Sequence, residues 1–487
     1  MTDQQIILAG VGVYLLVMIS IGVISARRAS AQAADFMLAG RTLPLWLCTA
    51  TIMATWLGGG SMLGVSGQTY EGGLLDVIAD PFGAALGIFL VGLFVIRLVR
   101  RLQLVTVIDF FLMRFGRPAT IVAAFAIVLS GVAWAGALMV AFGTILNVLT
   151  GVPLVWGILI GGLIVVGYTA IGGMWAVAMT DLIQLIVMIL GLVILTTIVV
   201  LDMGGVSAAW SQIPAEKLNL LPLENDAPSW LNYLRAWFII GVSNLASQSL
   251  LQRGLAAKDE RTAQWAYYFG AVGFLIIGLI PALLGILASV TMPGVEDKQT
   301  LLPLLAEAHL HPLLMALFVG AVLAAIMSSA DSALLAASSV ISMNLLPLLQ
   351  PAASEAQKLR WARFSIPICG LVAGGTALQF QAIYDLIVEA NAVLLAAVVV
   401  PFVLGIWWQK TNRVGVQAGM AAALVTWLTV SFIAPDLPGD LVGMFVCLVV
   451  TIGVALATQA SDPPAPITTP DGQPVALTDR LGVQALR

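Results

Sequence analysis

The feature that most limits this chain is a succession of long apolar runs separated by short polar breaks. Each run is near the ~20 residues that a helix needs to cross a bilayer core. Thirteen are read: 5–25, 44–70, 74–96, 118–149, 153–172, 174–201, 228–250, 262–290, 314–345, 360–379, 382–407, 412–434 and 439–458. Hydrocarbon offers no water to the backbone, so runs of this length must satisfy their own amides as helices. The reading is an all-α polytopic membrane protein. Composition agrees, with 9% charged and 60% hydrophobic residues in 487, where a soluble domain carries roughly a quarter charged. The first run has no basic lead and no small-residue cleavage site after it, so it is expected to be a retained helix and not a signal peptide.

Basic residues in short loops concentrate on the cytoplasmic side. Threading thirteen spans from an outside N-terminus puts 18 of the 21 Lys and Arg inside, in the groups 27–41, 97–117, 253–261, 358–363, 410–413 and 480–487. Lys217 and Lys298 fall outside, and Arg235 falls within a span. The topology is therefore N-out and C-in. A basic rim of this kind meets lipid headgroups, so the implied surface partner is the bilayer and not nucleic acid. Cys48, Cys369 and Cys447 have no CxxC spacing, and His309 and His311 read as ordinary outer-loop residues. The stretch 105–116, VTVIDFFLMRFG, suits a short amphipathic helix on the inner surface. The tail 459–487 is poor in apolar residues and is expected to be short, cytoplasmic and disordered.

Interruptions inside the spans carry more information than the spans. In the second, ATIMATWLGGGSMLGVSGQTY, Gly58, Gly59 and Gly60 lie at mid-depth. Each Gly costs about 1 kcal/mol relative to Ala in a helix interior, enough in a row to let the helix unwind. Unwound backbone at membrane depth is tolerated where it faces protein or a cavity, and its freed carbonyls can ligate a cation. A packing surface of small residues is the open alternative.

Six carboxylates fall within or near the spans: Asp76, Asp80, Asp181, Asp331, Asp385 and Glu389. Each ionised group at the bilayer centre costs about 2.5 to 3.5 kcal/mol or more, so the deep ones need a partner, a cavity or a proton. Asp76, Asp385 and Asp80 are read as near enough to the outer ends to reach water. Asp181, Asp331 and Glu389 are deeper, and Arg235 is the single internal cation available to neutralise one of them. The ninth span carries the densest polar cluster, with Ser328, Asp331 and Ser332 on one helical face and Ser329 at its edge. Hydroxyls and a carboxylate at this spacing suit a monovalent cation, although serines in membrane helices also bond back to carbonyls four residues earlier.

With those residues in view, the chain resembles the sodium:solute symporter family, which includes sodium-coupled sugar, proline, pantothenate, iodide, sialic acid and choline carriers. The resemblance runs from about residue 5 to 458. It rests on AGR at 39–41, IDFFLMRFG at 108–116, GGMWAVAMTDLIQ at 172–184, LQR at 251–253 followed by AAKDERTA, MSSADSALLAASS at 327–339 and PFVLGIWWQKTNRVG at 401–415. It implies a LeuT-type fold of two inverted five-helix repeats, here about 44–201 and 228–407, within a transmembrane domain spanning 1–458. It implies sodium as the coupling ion, held by the carbonyls of Ala54, Leu57 and Ala325 and the hydroxyls of Ser328 and Ser329. A second cation site, found in some members, maps to Asp181, Asp331 and Ser332 beside Ser328. The choline-transporter-like branch looks nearest, and the implied solute site comprises Trp56, Gly58, Trp134, Ser247 and Gln248. Two positions that resemblance would make aromatic are Ala84 and Ser247, leaving half of a cage for a quaternary ammonium, while the acidic Asp76 and Asp80 near the same cavity would fit a cationic amine, so that a choline or organic-amine carrier is an alternative.

The expected function is sodium-coupled import of a small organic solute by alternating access, in a plasma membrane, that of a bacterial inner membrane by type. A sensor built on the same module is the alternative, for which the 29 residues after 458 leave no room for a kinase domain. A passive channel would show flux independent of a sodium gradient. An enzyme is excluded on the residues, because no nucleophile, base and orienting acid occur at recognisable spacing.

Overall fold

The computed structural model describes residues 3–26, 32–378 and 391–482. Arg27, Arg28, Asp385, Glu389, Arg487 and the first part of the eleventh span fall outside them. Among the described residues the secondary structure is helical, apart from isolated bridges at Leu43 with Ala257 and Thr468 with Pro474. The chain runs through α1 (Asp3–Ala26), α2 (Leu45–Trp56), α3 (Val65–Glu71), α4 (Leu74–Arg101), α5 (Val107–Thr150) and α6 (Leu154–Asp202). It continues as α7 (Ala227–Gly241), α8 (Gln248–Leu255), α9 (Glu260–Thr291), α10 (Pro312–Val340), α11 (Glu355–Ala377), α12 (Asn391–Trp407), α13 (Arg413–Ile433) and α14 (Gly439–Ala457).

Among the described residues eight helices are long and apolar enough to cross a membrane. The thirteen expected segments map onto these and their neighbours because two glycines with positive φ divide what otherwise runs on. Gly173, at φ 56, turns α6 between the fifth and sixth segments, and a Cβ there would stand 2.5 Å from the Phe36 carbonyl. Gly116, at φ 75, separates the surface helix from the fourth span within α5. That surface helix begins at a capping box, in which Thr106 accepts from the Asp109 amide and Asp109 accepts from the Thr106 amide at 2.9 Å. Phe110 and Phe111 then pack on Phe402 of α12, and Phe115 packs on both of them.

The second and seventh segments are broken rather than continuous. α2 ends at Leu57, whose ψ of 63 is not helical, and helical geometry resumes through a wide turn at Gly60–Gly64 into α3. α7 passes through a tight turn at Ser243–Ala246 and an extended Ser247 before α8. These are the first members of the two expected repeats, 44–201 and 228–407. Both breaks face α10, which is buried at every position from Phe318 to Val340 and packs on α5 and α6. Leu163, Phe125 and Phe432 project outward instead, as side chains in lipid can.

Polar contacts sort to two ends of the molecule, the ends that the charge asymmetry predicts. At one, Arg41 donates to the carbonyls of Gln103 and Leu104, Arg100 to Ala257, Arg114 to Gln409 and Arg117 to Leu348. Burial pushes the Arg41 guanidinium down to about 10. At the other, Lys217 donates to the Tyr70 carbonyl, Lys298 pairs with Glu71 and His309 meets Asp202.

Two expectations change. The tail is not unpacked over 459–482: Arg101 donates to the carbonyls of Ala476 and Thr478, Asp479 pairs with Arg97, and Arg480 donates to the Ile406 carbonyl. Backbone carbonyls and an ion pair hold it, with Ile467, Val475 and Leu477 packed against the apolar core. Among the described residues Arg235 pairs not with Asp181 or Asp331 but with Asp440 of α14, in a fork with Nη2 to Oδ2 at 2.7 Å.

Candidate functional site

The sodium ligands expected from sequence come from the break in α2 and from α10. Ser328 Oγ lies 2.9 Å from the Ala54 carbonyl and 3.0 Å from the Ala325 carbonyl, and Ser329 Oγ lies 2.7 Å from the Thr55 carbonyl. Leu57 follows directly as the residue at which the helix opens. Gly58 is confined by the same arrangement, since a Cβ on it would stand 2.3 Å from Ser329 Oγ. The two readings of the glycine run are therefore both realised, as an opening of the helix and as a close approach to α10. Three neutral oxygens within hydrogen-bond reach of one another, two of them carbonyls, form a donor set suited to an ion with one positive charge.

Behind this set lies a second buried cluster. Asp181 accepts from Thr51 Oγ1, while Asp331 accepts from Tyr168 at 2.6 Å and from Ser332 at 3.1 Å. Ser332 also lies 3.2 Å from Thr55 Oγ1. Between the two carboxylates stands Arg253, fully buried, donating to Ser332 Oγ and to the Ser249 carbonyl at 2.8 Å. Sequence reasoning places Arg253 in a cytoplasmic loop. The structure puts it inside because the break in the seventh segment restarts the helix at Gln248, carrying Arg253 into the interior opposite α10. The cluster holds two carboxylates and one guanidinium, and Asp181 Oδ1 has no hydrogen-bond partner.

The five expected solute residues, Trp56, Gly58, Trp134, Ser247 and Gln248, line one cavity between α2, α5, α8 and α12. The rings of Trp56 and Trp134 stand 5.7 Å apart at 34°. Gln248 is committed to the scaffold: its Oε1 accepts from the Val107 amide at 2.8 Å and its Nε2 donates to Ser339 at 3.1 Å. Asp80 also lines the cavity, the second of the two places expected for it, and is buried from outside water. It is 8% exposed and non-helical at φ −145, ψ 117, ahead of Pro81, and Ser61 Oγ lies 2.5 Å from its Oδ2. Asp76, one turn earlier, is exposed as expected. The residues that sequence reasoning missed are Thr51, Thr55, Tyr168 and Arg253. The signal for the first two was present, as hydroxyls four apart on the helix that leads into the break.

A model of the sodium:solute symporter family matches residues 36–423. The chain belongs to that family. It is 28% identical over 465 residues to the high-affinity choline transporter 1 of Caenorhabditis elegans, covering 87% of this chain and 77% of that one. It is 26% identical over 480 residues to the osmoregulated proline transporter OpuE of Bacillus subtilis, covering 93% and 96%. Its fold is similar to that of a Na+-coupled sialic acid symporter solved in a substrate-bound outward-open state, with a TM-score of 0.84, 20% identity and coverage of 93% and 98%. The LeuT-type architecture expected from the resemblance is thus the fold of this chain, a multi-pass membrane transporter and not an enzyme.

Proposed function

We propose that this symporter uses one sodium ion at Ala54, Leu57, Ala325, Ser328 and Ser329 to order the solute cavity, and imports a small organic solute with it. The carrying observation is the bridge that Ser328 makes between the broken helix and α10, the two elements whose relative position must change if access is to alternate. Sodium at these oxygens holds α2 against α10. Trp56 and Gly58, on either side of Leu57, are then fixed at the cavity wall. One charge moved through 100 mV supplies about 2.3 kcal/mol, roughly fifty-fold accumulation, before the sodium gradient is counted. Binding energies are reciprocal, so solute tightens sodium as much as sodium tightens solute. The bilayer in this reading is a bacterial plasma membrane, a reading to which the near full-length correspondence with the Bacillus relative lends support.

The test is thermal unfolding of purified protein in sodium against equimolar potassium. Sodium raises the melting temperature of the wild type, and the rise is lost in the double variant Ser328→Ala, Ser329→Ala. An equal rise in both proteins would place the ion elsewhere.

Asp181 and Asp331 support a second cation in the same protein. Arg253 offsets one of the two carboxylates, and Asp181 Oδ1 is left to receive another ligand. In this reading sodium-dependent uptake is cooperative, and Asp181→Asn reduces its Hill coefficient to one.

A further inference from the structure

The solute cavity contains an acid that its aromatic pair does not require. Among the described residues lining it, Asp80 alone carries a formal charge. Its carboxylate is more than nine-tenths buried, and one oxygen, Oδ1, has no hydrogen-bond partner. The other is served by Ser61 alone, and the single Ser61 proton is shared, since Ser61 Oγ also lies 2.9 Å from the Trp56 carbonyl. A carboxylate accepts along about four lone-pair directions, and a buried one that lacks donors bears a large desolvation penalty. A ligand that brings both positive charge and an N–H relieves the charge and the missing donor together.

Three further observations bear on which cation fits. Two indole faces, Trp56 and Trp134, are available for cation–π contact, and among the described residues lining the cavity no other side chain is aromatic. A quaternary ammonium depends on aromatic cover, because its methyl groups give a carboxylate only weak C–H contacts. A protonated primary, secondary or tertiary amine donates a short charge-assisted hydrogen bond instead. The cavity also presents Trp56 Nε1 and Asn244 Oδ1, each buried and without a partner, so polar atoms beyond the amine have places to bind.

We propose that the transported solute carries a protonated amine bearing at least one N–H, that Asp80 is its counter-ion, and that this acid selects such amines over quaternary ammonium compounds. The inference rests on the reading of this cavity as the solute site. It also supplies a route for coupling. Ser61 joins the Asp80 carboxylate to the Trp56 carbonyl, and Trp56 immediately precedes Leu57 at the opening of α2. An amine that draws Asp80 toward itself frees the Ser61 proton for that carbonyl and so reaches the sodium site through one hydroxyl.

The experiment compares solutes that differ only at nitrogen: 2-aminoethanol, N,N-dimethylaminoethanol and choline, and N,N-dimethylglycine against its trimethyl analogue. Each is titrated by thermal shift on the full-length protein in sodium and in potassium, with Asp80→Asn in parallel. In the wild type the N–H members bind at least tenfold more tightly than their quaternary partners, in sodium only. In Asp80→Asn that preference falls to within about twofold. Tighter binding of the quaternary members, sodium-dependent binding confined to uncharged solutes, or no sodium-dependent shift with any N–H amine overturns the proposal. A preference that survives Asp80→Asn does the same. The wild-type ratio decides the matter even where the variant fails to fold. Sodium-dependent binding of a quaternary or neutral solute would leave symport standing while this inference fails, whereas a wild type indifferent to sodium with every solute would remove both.

Discussion

Arg253 shows how much the interior of this protein depends on single side chains. A guanidinium buried beside two carboxylates is stable only while its partners remain, and removing one member of such a group typically costs about 3 to 5 kcal/mol. Arg253→Met is therefore expected to lower the melting temperature sharply. Adding Asp331→Ser recovers part of the loss, because the first substitution leaves two uncompensated carboxylates and the second removes one. A double-mutant cycle read by thermal unfolding checks this, and strictly additive losses would show that the two residues do not interact. The carboxylates were legible in the sequence as charges too deep for water. Their partner was not, because Arg253 stands three residues past an apolar run beside Lys258 and Arg261, where a basic residue ordinarily marks the membrane edge. Arg235 misled for the opposite reason: it lies inside an apolar run but turns toward Asp440 at a helix start.

At the scale of elements, the two broken helices differ in what their sequences disclose. The first break announces itself through Gly58, Gly59 and Gly60, since proline aside no residue type at mid-span lowers helix propensity so far. Gly58→Ala should reduce sodium affinity at least tenfold, because the new Cβ would stand 2.3 Å from Ser329 Oγ and push α2 from α10. Sodium titration of the thermal shift measures it. The second break has no glycine run. Ser243 and Asn244 turn their side chains back onto the carbonyls of Ile239 and Ile240, which ends α7 by supplying donors rather than by weakening propensity. Pattern reading registers such residues as ordinary polar positions in a span. Helix starts outside the membrane are more transparent: Asp259 accepts from the Thr262 amide at 2.7 Å at the head of α9, and Asp259→Ala is expected to cost about 1 kcal/mol in unfolding.

Over the whole molecule, thirteen apolar runs and the motifs between them were sufficient to anticipate the architecture. The packing of the tail was not anticipated, because several of its attachments are to backbone carbonyls that no composition records. It ties α4, α9 and α12 together through Arg97, Arg101, Gln264 and Arg480, with Arg480 also over the Trp407 ring at 5.2 Å. Truncation after Asp462 should lower the melting temperature by a few degrees, at ~0.5–1.5 kcal/mol for each such bond, while leaving the sodium-induced shift intact. Loss of the sodium response in the truncated protein would instead tie the tail to the ion site. The central claim, that sodium at the junction of the broken helix and α10 drives solute uptake, is tested most directly in proteoliposomes with an imposed inward sodium gradient and a clamped membrane potential. The account predicts that N,N-dimethylaminoethanol accumulates above equilibrium in the wild type and only equilibrates, or fails to enter, with Ser328→Ala and Ser329→Ala together. Accumulation that persists in that double variant, or that proceeds equally well without the sodium gradient, would contradict it.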